Sequence, residues 1–212
     1  MLQLLLGSII MIVIMLLMKY MNRIIFFNIL LVLFFSCSLN KEISKTERIV
    51  NLQQSYIEND YLKFFHYFPN TFDSFVAIYG YVENEEETIL SFLYDDAYYH
   101  IEYLFENNNR IDINSFLEKI FYITQHSYWQ ADAYNYFKIN VEKLFDCRYD
   151  DFIDYLNSKT NKELEDFWFF VLNGPHPINN RHLNFIIRLQ EDNQERQIRI
   201  IEKVMNRIKT DV

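Results

Sequence analysis

Glycine and proline are scarce after the first oily segments of this chain. Beyond residue 37 the only glycines are Gly80 and Gly174, and the only prolines are Pro69, Pro175 and Pro177. Hairpins and sheets draw on many more turn residues than that. Gly-rich phosphate loops need glycines a few residues apart, and here they are nearly a hundred apart. The reading is all-α: an irregular bundle or small α-solenoid of about seven to nine short helices, with no repeat period clear enough to name a repeat family.

Helix punctuation supports it. Ser44-x-x-Glu47 reads as a capping box opening a helix or helix pair that runs to about Phe68 and stops at Pro69. Asn70 or Thr71 starts a short helix that ends at Gly80, and the acidic stretch Glu83–Glu87 is a loop or an exposed first turn. Asp95 and Asp96 begin the next helix, with Tyr98, Ile101, Leu104 and Phe105 on one face and Asn107-Asn108-Asn109 as its stop. Asp112 caps another, which buries Phe116, Leu117, Ile120 and Phe121. Ser127-x-x-Gln130 reads as a second capping box, before a helix that buries Tyr134, Phe137, Val141, Leu144 and Phe145. A short helix holds Phe152, Ile153 and Leu156. Thr160-x-x-Glu163 caps a helix whose Leu164, Phe167, Trp168, Val171 and Leu172 fall on one apolar stripe, with Gly174 as its left-handed C-cap. A polar helix or helix pair closes the chain through Leu183, Ile186 and Ile187, then Ile198, Ile201, Val204, Met205 and Ile208. Gln190–Gln197, without an apolar side chain, is a break or a solvated stretch.

The N-terminal residues address location. Two oily runs, Leu2–Met18 and Ile24–Phe35, flank Lys19 and Arg23, and the second ends at Ser36-Cys37. Ile24–Phe35 is too short for a stable membrane span and suits the core of a cleavable signal. The run resembles a lipobox, which would make Cys37 the lipidated N-terminus of the mature chain. It departs from the usual pattern, because Phe34 and Phe35 stand where Leu and a small residue are typical. Residues 1–20 read as an over-extended start ahead of Met21 or as an extra hydrophobic segment, a membrane hairpin with residues 19–23 as its turn being the second possibility. Residues 21–36 form the lipoprotein signal, 37–43 a lipidated tether and 44–212 the helical domain, outside the cytoplasm on the cell envelope.

Charge narrows the partners. The net charge is −9, all 29 acids follow Cys37, and Lys19 and Arg23 precede it, so the part after Cys37 carries near −11. That argues against nucleic acid and against docking on anionic lipid, and leaves lipid or the oily N-terminus as the membrane attachment. With Cys37 lipidated, Cys147 has no disulfide partner, and it reads as a small, partly buried residue.

Chemistry is not concentrated anywhere. The histidines His66, His100, His126, His176 and His182 fit no metal-ligand spacing and read as surface or hydrogen-bonded residues. Acidic pairs such as Asp95-Asp96 and Asp150-Asp151 suit helix first turns. No serine sits in a nucleophile elbow. No catalytic residue, metal or cofactor is assigned. The clustered tyrosines Tyr94, Tyr98, Tyr99 and Tyr103 lie on more than one side of a helix, at a core edge or on a binding surface. The run Phe167–Pro177 ends a helix with two prolines around His176, as a helix stop or a ligand contact.

Tyr128-Trp129-Gln130-Ala131-Asp132-Ala133, Phe167-Trp168-x-Phe170 and Gly174-Pro175-His176-Pro177, with Phe68-Pro69-x-x-Phe72 and Tyr79-Gly80-Tyr81, resemble a family of bacterial lipoproteins of Bacteroidota type over roughly residues 60–180. Small helical proteins of that kind occur as immunity proteins beside secreted toxins. The resemblance implies a toxin-like protein partner and carries over no catalytic residue. Two expectations result. One is a lipid-anchored, non-catalytic binding domain. The other is an envelope enzyme or small-ligand binder with a pocket near Trp129, Trp168 and His176.

Overall fold

Ten α-helices and a two-stranded ribbon make up the described residues of the computed structural model, which are 44–83, 88–130, 132–174 and 180–210. The helices are α1 Lys45–Ile57, α2 Tyr61–Tyr67, α3 Phe72–Tyr79, α4 Ala97–Glu106 and α5 Ile113–Thr124 in the first half. The second half holds α6 Asp132–Cys147, α7 Tyr149–Asn157, α8 Asn161–Leu172, α9 Asn180–Glu191 and α10 Glu195–Thr210. Strands β1 Tyr81–Glu83 and β2 Thr88–Leu90 pair antiparallel, with Val82 opposite Ile89. The all-α class holds. The ribbon is the exception to the expectation of no hairpin, and residues 84–87 of the acidic run lie outside the described residues. Cys37, the two oily runs and His176 also lie outside them. Among the described residues no helix is long and apolar enough to cross a membrane.

A chain this poor in glycine turns with asparagine. Asn59 and Asn193 take φ values of 55° and 54°, and His126 takes 53°, each just past a helix end. Asparagine tolerates the left-handed region because its short amide bonds locally. Helix starts are capped largely as the sequence indicates. Thr160 and Glu163 form the full capping box of α8, Thr71 and Ser74 form one on α3, and Asp112 accepts from Ser115 N on α5. Each such cap contributes about 1 kcal/mol. The box expected at Ser127-x-x-Gln130 does not form. Gln130 precedes α6, its side-chain oxygen accepts instead from Tyr81 N at 3.4 Å, and the buried Ser127 hydroxyl has no partner among the described residues. Gly174 is not the cap of α8 either. Asn173 ends that helix in extended geometry, and Gly174 follows at φ 143°, which only glycine adopts without strain.

The helices stack in alternation. Each even-numbered helix packs on the next, from α2 through α4, α6 and α8 to α10, while α3, α5 and α7 pack in the same order. Side-chain rungs fix the register. Tyr94 bonds Asp132, Tyr98 stacks edge-on with Tyr136 at 5.3 Å, and Glu102 accepts from Asn140 at 2.8 Å. These partners are 38 residues apart, four residues per step, so α4 and α6 run parallel. The same offset joins Glu165 to Lys203 and Phe169 to Arg207 between α8 and α10.

Aromatic rings fill the interior. Phe137 of α6 meets Phe75, Phe105 and Phe170 from three other helices at 5.2 to 6.0 Å. Phe145 does the same for Tyr149, Phe152, Trp168 and Phe185. Burying each such ring contributes roughly 2–3 kcal/mol. On α4 Ile101, Leu104 and Phe105 are buried as read, together with Ala97 and His100, and Tyr98 is not, while on α9 the apolar phase differs from the sequence reading. On α9 the buried residues are His182, Phe185 and Leu189, while Leu183 and Ile187 are exposed.

Candidate functional site

Five exposed large apolar residues fall within one short stretch of chain, the others being scattered along the helices and loops. Ile89 and Leu90 end the ribbon, Phe92 follows at 73 % exposure, and Tyr98 and Tyr99 open α4 at 47 % and 59 %. Two backbone bonds, Ser91 N to Gly80 O and Leu93 N to Ile78 O, tie the exit of the ribbon to α3. Leu93 and Ala97 are buried and anchor the same segment from beneath. Ring contacts join Tyr81 to Tyr94 and Tyr98 to both Tyr99 and Tyr136. The Asp132 carboxylate accepts the Tyr94 hydroxyl and pushes that phenol up to about 12. The Tyr94 phenol therefore stays a neutral hydrogen-bonding group across the physiological range. An aromatic, rigidly mounted patch with hydroxyls is the chemistry of a protein-binding face.

A groove continues this face between α4 and α6. Tyr98, Glu102 and Glu106 follow one another at four-residue spacing on α4, and Tyr136, Asn140, Lys143 and Cys147 run beside them on α6. Past the tyrosines lies a depression of about 310 Å³ floored by Phe105 and Leu144 and walled by Glu102, Glu106, Asn140 and Lys143. Cys147 lines its end and is exposed, contrary to the partly buried position expected for it. At the end of α6 Phe145 turns inward, and Asp146 and Cys147 fall on the outward side.

The residues singled out from the sequence are dispersed. Trp168 is 1 % exposed, pairs its ring with Phe145 and Phe167, and donates its indole N–H to Gln197. The void beside it is about 10 Å³, room for one water at most. Trp129 is exposed and lies past the end of α8, where Gly174 approaches both its indole nitrogen and the Lys138 ammonium. Lys138 donates to Asn173 O at 2.6 Å, and burial lowers its amine to about 8. His176 lies outside the described residues.

The other histidines have structural partners. The His100 Nδ1 sits 3.0 Å from the Tyr79 hydroxyl, and burial lowers the imidazole to about 4. His182 and Glu142, both buried, approach to 3.4 Å. His126 pairs with Asp166 at 3.2 Å on the rim of a cleft of about 340 Å³ that Thr71, Asp73, Tyr122 and Glu163 also line. Hydrogen bonds from Thr160 hold the Glu163 carboxyl below its usual range. That carboxylate is committed to its helix cap. Among the described residues no three His, Cys, Asp or Glu side chains converge as a metal site.

Sequence reading missed the groove and found half of the aromatic face. The tyrosine cluster was visible, but Ile89, Leu90 and Phe92 carry no local signal that sets them apart from core residues, and the pairing of α4 with α6 has none either. No protein family, no curated protein and no solved structure matches the chain.

Proposed function

We propose that this chain is a lipid-anchored protein of a bacterial cell envelope whose helical domain, outside the cytoplasm, binds another protein without catalysis. The observation that carries the binding half is the exposure of Ile89, Leu90, Phe92, Tyr98 and Tyr99 within one short segment. Solvated apolar surface of this kind is costly in a monomer and is relieved by a partner. The acidic surface favours a basic partner. An immunity protein that occludes a toxin has these requirements. The anchor half rests on the lipobox-like run ending at Cys37.

Native size in mild detergent tests the binding half. The wild-type chain is expected to migrate in a complex, and a Phe92→Asp, Tyr99→Asp variant as the free lipidated chain. Migration of the wild type as the free chain overturns the reading. Palmitate labelling tests the anchor half. Label that disappears in Cys37→Ser supports it, and an unlabelled wild type overturns it.

A second reading, as a small-ligand binder or enzyme, finds its support in the cleft beside His126 rather than around Trp168. Its volume reaches the lower range of ligand pockets. A small molecule whose binding shifts with Tyr122→Ala or His126→Ala would favour it.

A further inference from the structure

Resting on the α4–α6 face as the binding surface, we propose that its groove seats one arginine or lysine side chain of the partner protein, the cation lying between Glu102 and Glu106. Charge is the first ground. Asn140 Nδ2, on a residue 5 % exposed, donates to Glu102 Oε1 at 2.8 Å and holds that carboxylate on the groove wall. Lys143 reaches the same oxygen only at 3.9 Å, and its side chain is about half exposed. Such a pair is weak and is readily replaced. Glu106 has no ion-pair partner among the described residues. Two carboxylates thus face the groove against one loosely held ammonium.

Shape is the second ground. The floor of Phe105 and Leu144 is apolar and suits the methylene stem of a long cationic side chain, which buries its stem while its head finds charge. About 310 Å³ is small for a nucleotide or an oligosaccharide and ample for one such side chain. At the tyrosine end, Tyr98 packs edge to face with Tyr136 at 5.3 Å and, being exposed, offers ring surface to a cation entering from that side. The same negative potential repels phosphate-bearing ligands and anionic headgroups.

The test uses the full chain in micelles and two small probes, N-acetyl-arginine methylamide and its citrulline counterpart, which has the same shape without the charge. Amide NMR shifts report the site. The arginine probe is expected to shift Glu102, Asn108, Asn140 and Lys143 saturably. It should bind about fivefold more tightly than the citrulline probe and lose about that factor in Glu106→Gln, as for one partly solvated charge pair. Iodoacetamide on Cys147 should abolish these shifts, and Cys147→Ser should keep them after the same treatment. Equal affinity for the two probes, or saturable shifts elsewhere, overturns the proposal. Native size then separates it from the reading beneath it. A complex that Phe92→Asp, Tyr99→Asp releases but Glu102→Gln, Glu106→Gln retains leaves the binding face standing and removes the arginine seat. A free wild-type chain removes the binding face itself.

Discussion

Trp168 donates its indole N–H to the side-chain oxygen of Gln197 at 2.9 Å, with both residues inside the protein. Gln197 in turn donates to Asn157 Oδ1 at 3.1 Å, and Asn157 donates to Gln194 at 3.1 Å, so one chain of amides ties α7, α8 and α10 together. Removing a link strands a buried donor, which costs about 1–3 kcal/mol. Gln197→Leu is therefore expected to lower the stability by that amount in urea unfolding. An unchanged midpoint would mean that the amide chain contributes nothing net.

His100 makes stability depend on acidity. Its folded value of about 4 lies below the ordinary 6.5, so between these values the unfolded chain binds the proton more readily. Stability therefore rises with pH through that window and falls as pH drops from 6.5 towards 4, by about 3 kcal/mol in all. Urea midpoints from pH 7 to pH 4 should show this loss in the wild type, and a smaller one in His100→Gln. Parallel pH profiles would remove His100 as the cause.

Gly80, at the junction of α3 and the ribbon, has no room for a side chain. A methyl group there would lie 2.7 Å from Val76 Cγ1 and 2.8 Å from the Val76 carbonyl oxygen, closer than real contacts allow. Gly80→Ala is expected to cost about 1–3 kcal/mol and to shift the amide resonances of Ser91 and Leu93, whose bonds hold the ribbon exit to α3. A variant as stable as the wild type with unmoved resonances would contradict this.

Helix content was legible because caps and apolar spacing are local. Thr160, Glu163 and Asp112 cap as their spacing indicates, and the stripe Leu164, Phe167, Trp168, Val171 is buried as read. Ser127 and Gln130 had the same spacing and do not cap, because Gln130 is taken by the backbone of Tyr81, far away in sequence. Gln197 read as part of a solvated break and is fully buried, since only the position of Trp168 supplies its partner. The 38-residue stacking offset stayed hidden for a chemical reason. Its rungs are a Tyr–Asp bond, a Tyr–Tyr contact, a Glu–Asn bond, a Glu–Lys pair and an Arg–Phe stack, which share geometry but no repeated residue pair. The acidic groove depends on that offset, so it was equally invisible.

Photo-crosslinking in intact cells tests the binding face most directly. A photoreactive amino acid placed at Tyr99 or Phe92, on the aromatic face, is compared with one at Lys209, exposed near the end of α10. The account predicts one discrete adduct from each position on the face and none from Lys209. No adduct from the face, or the same adducts from all three positions, would contradict it.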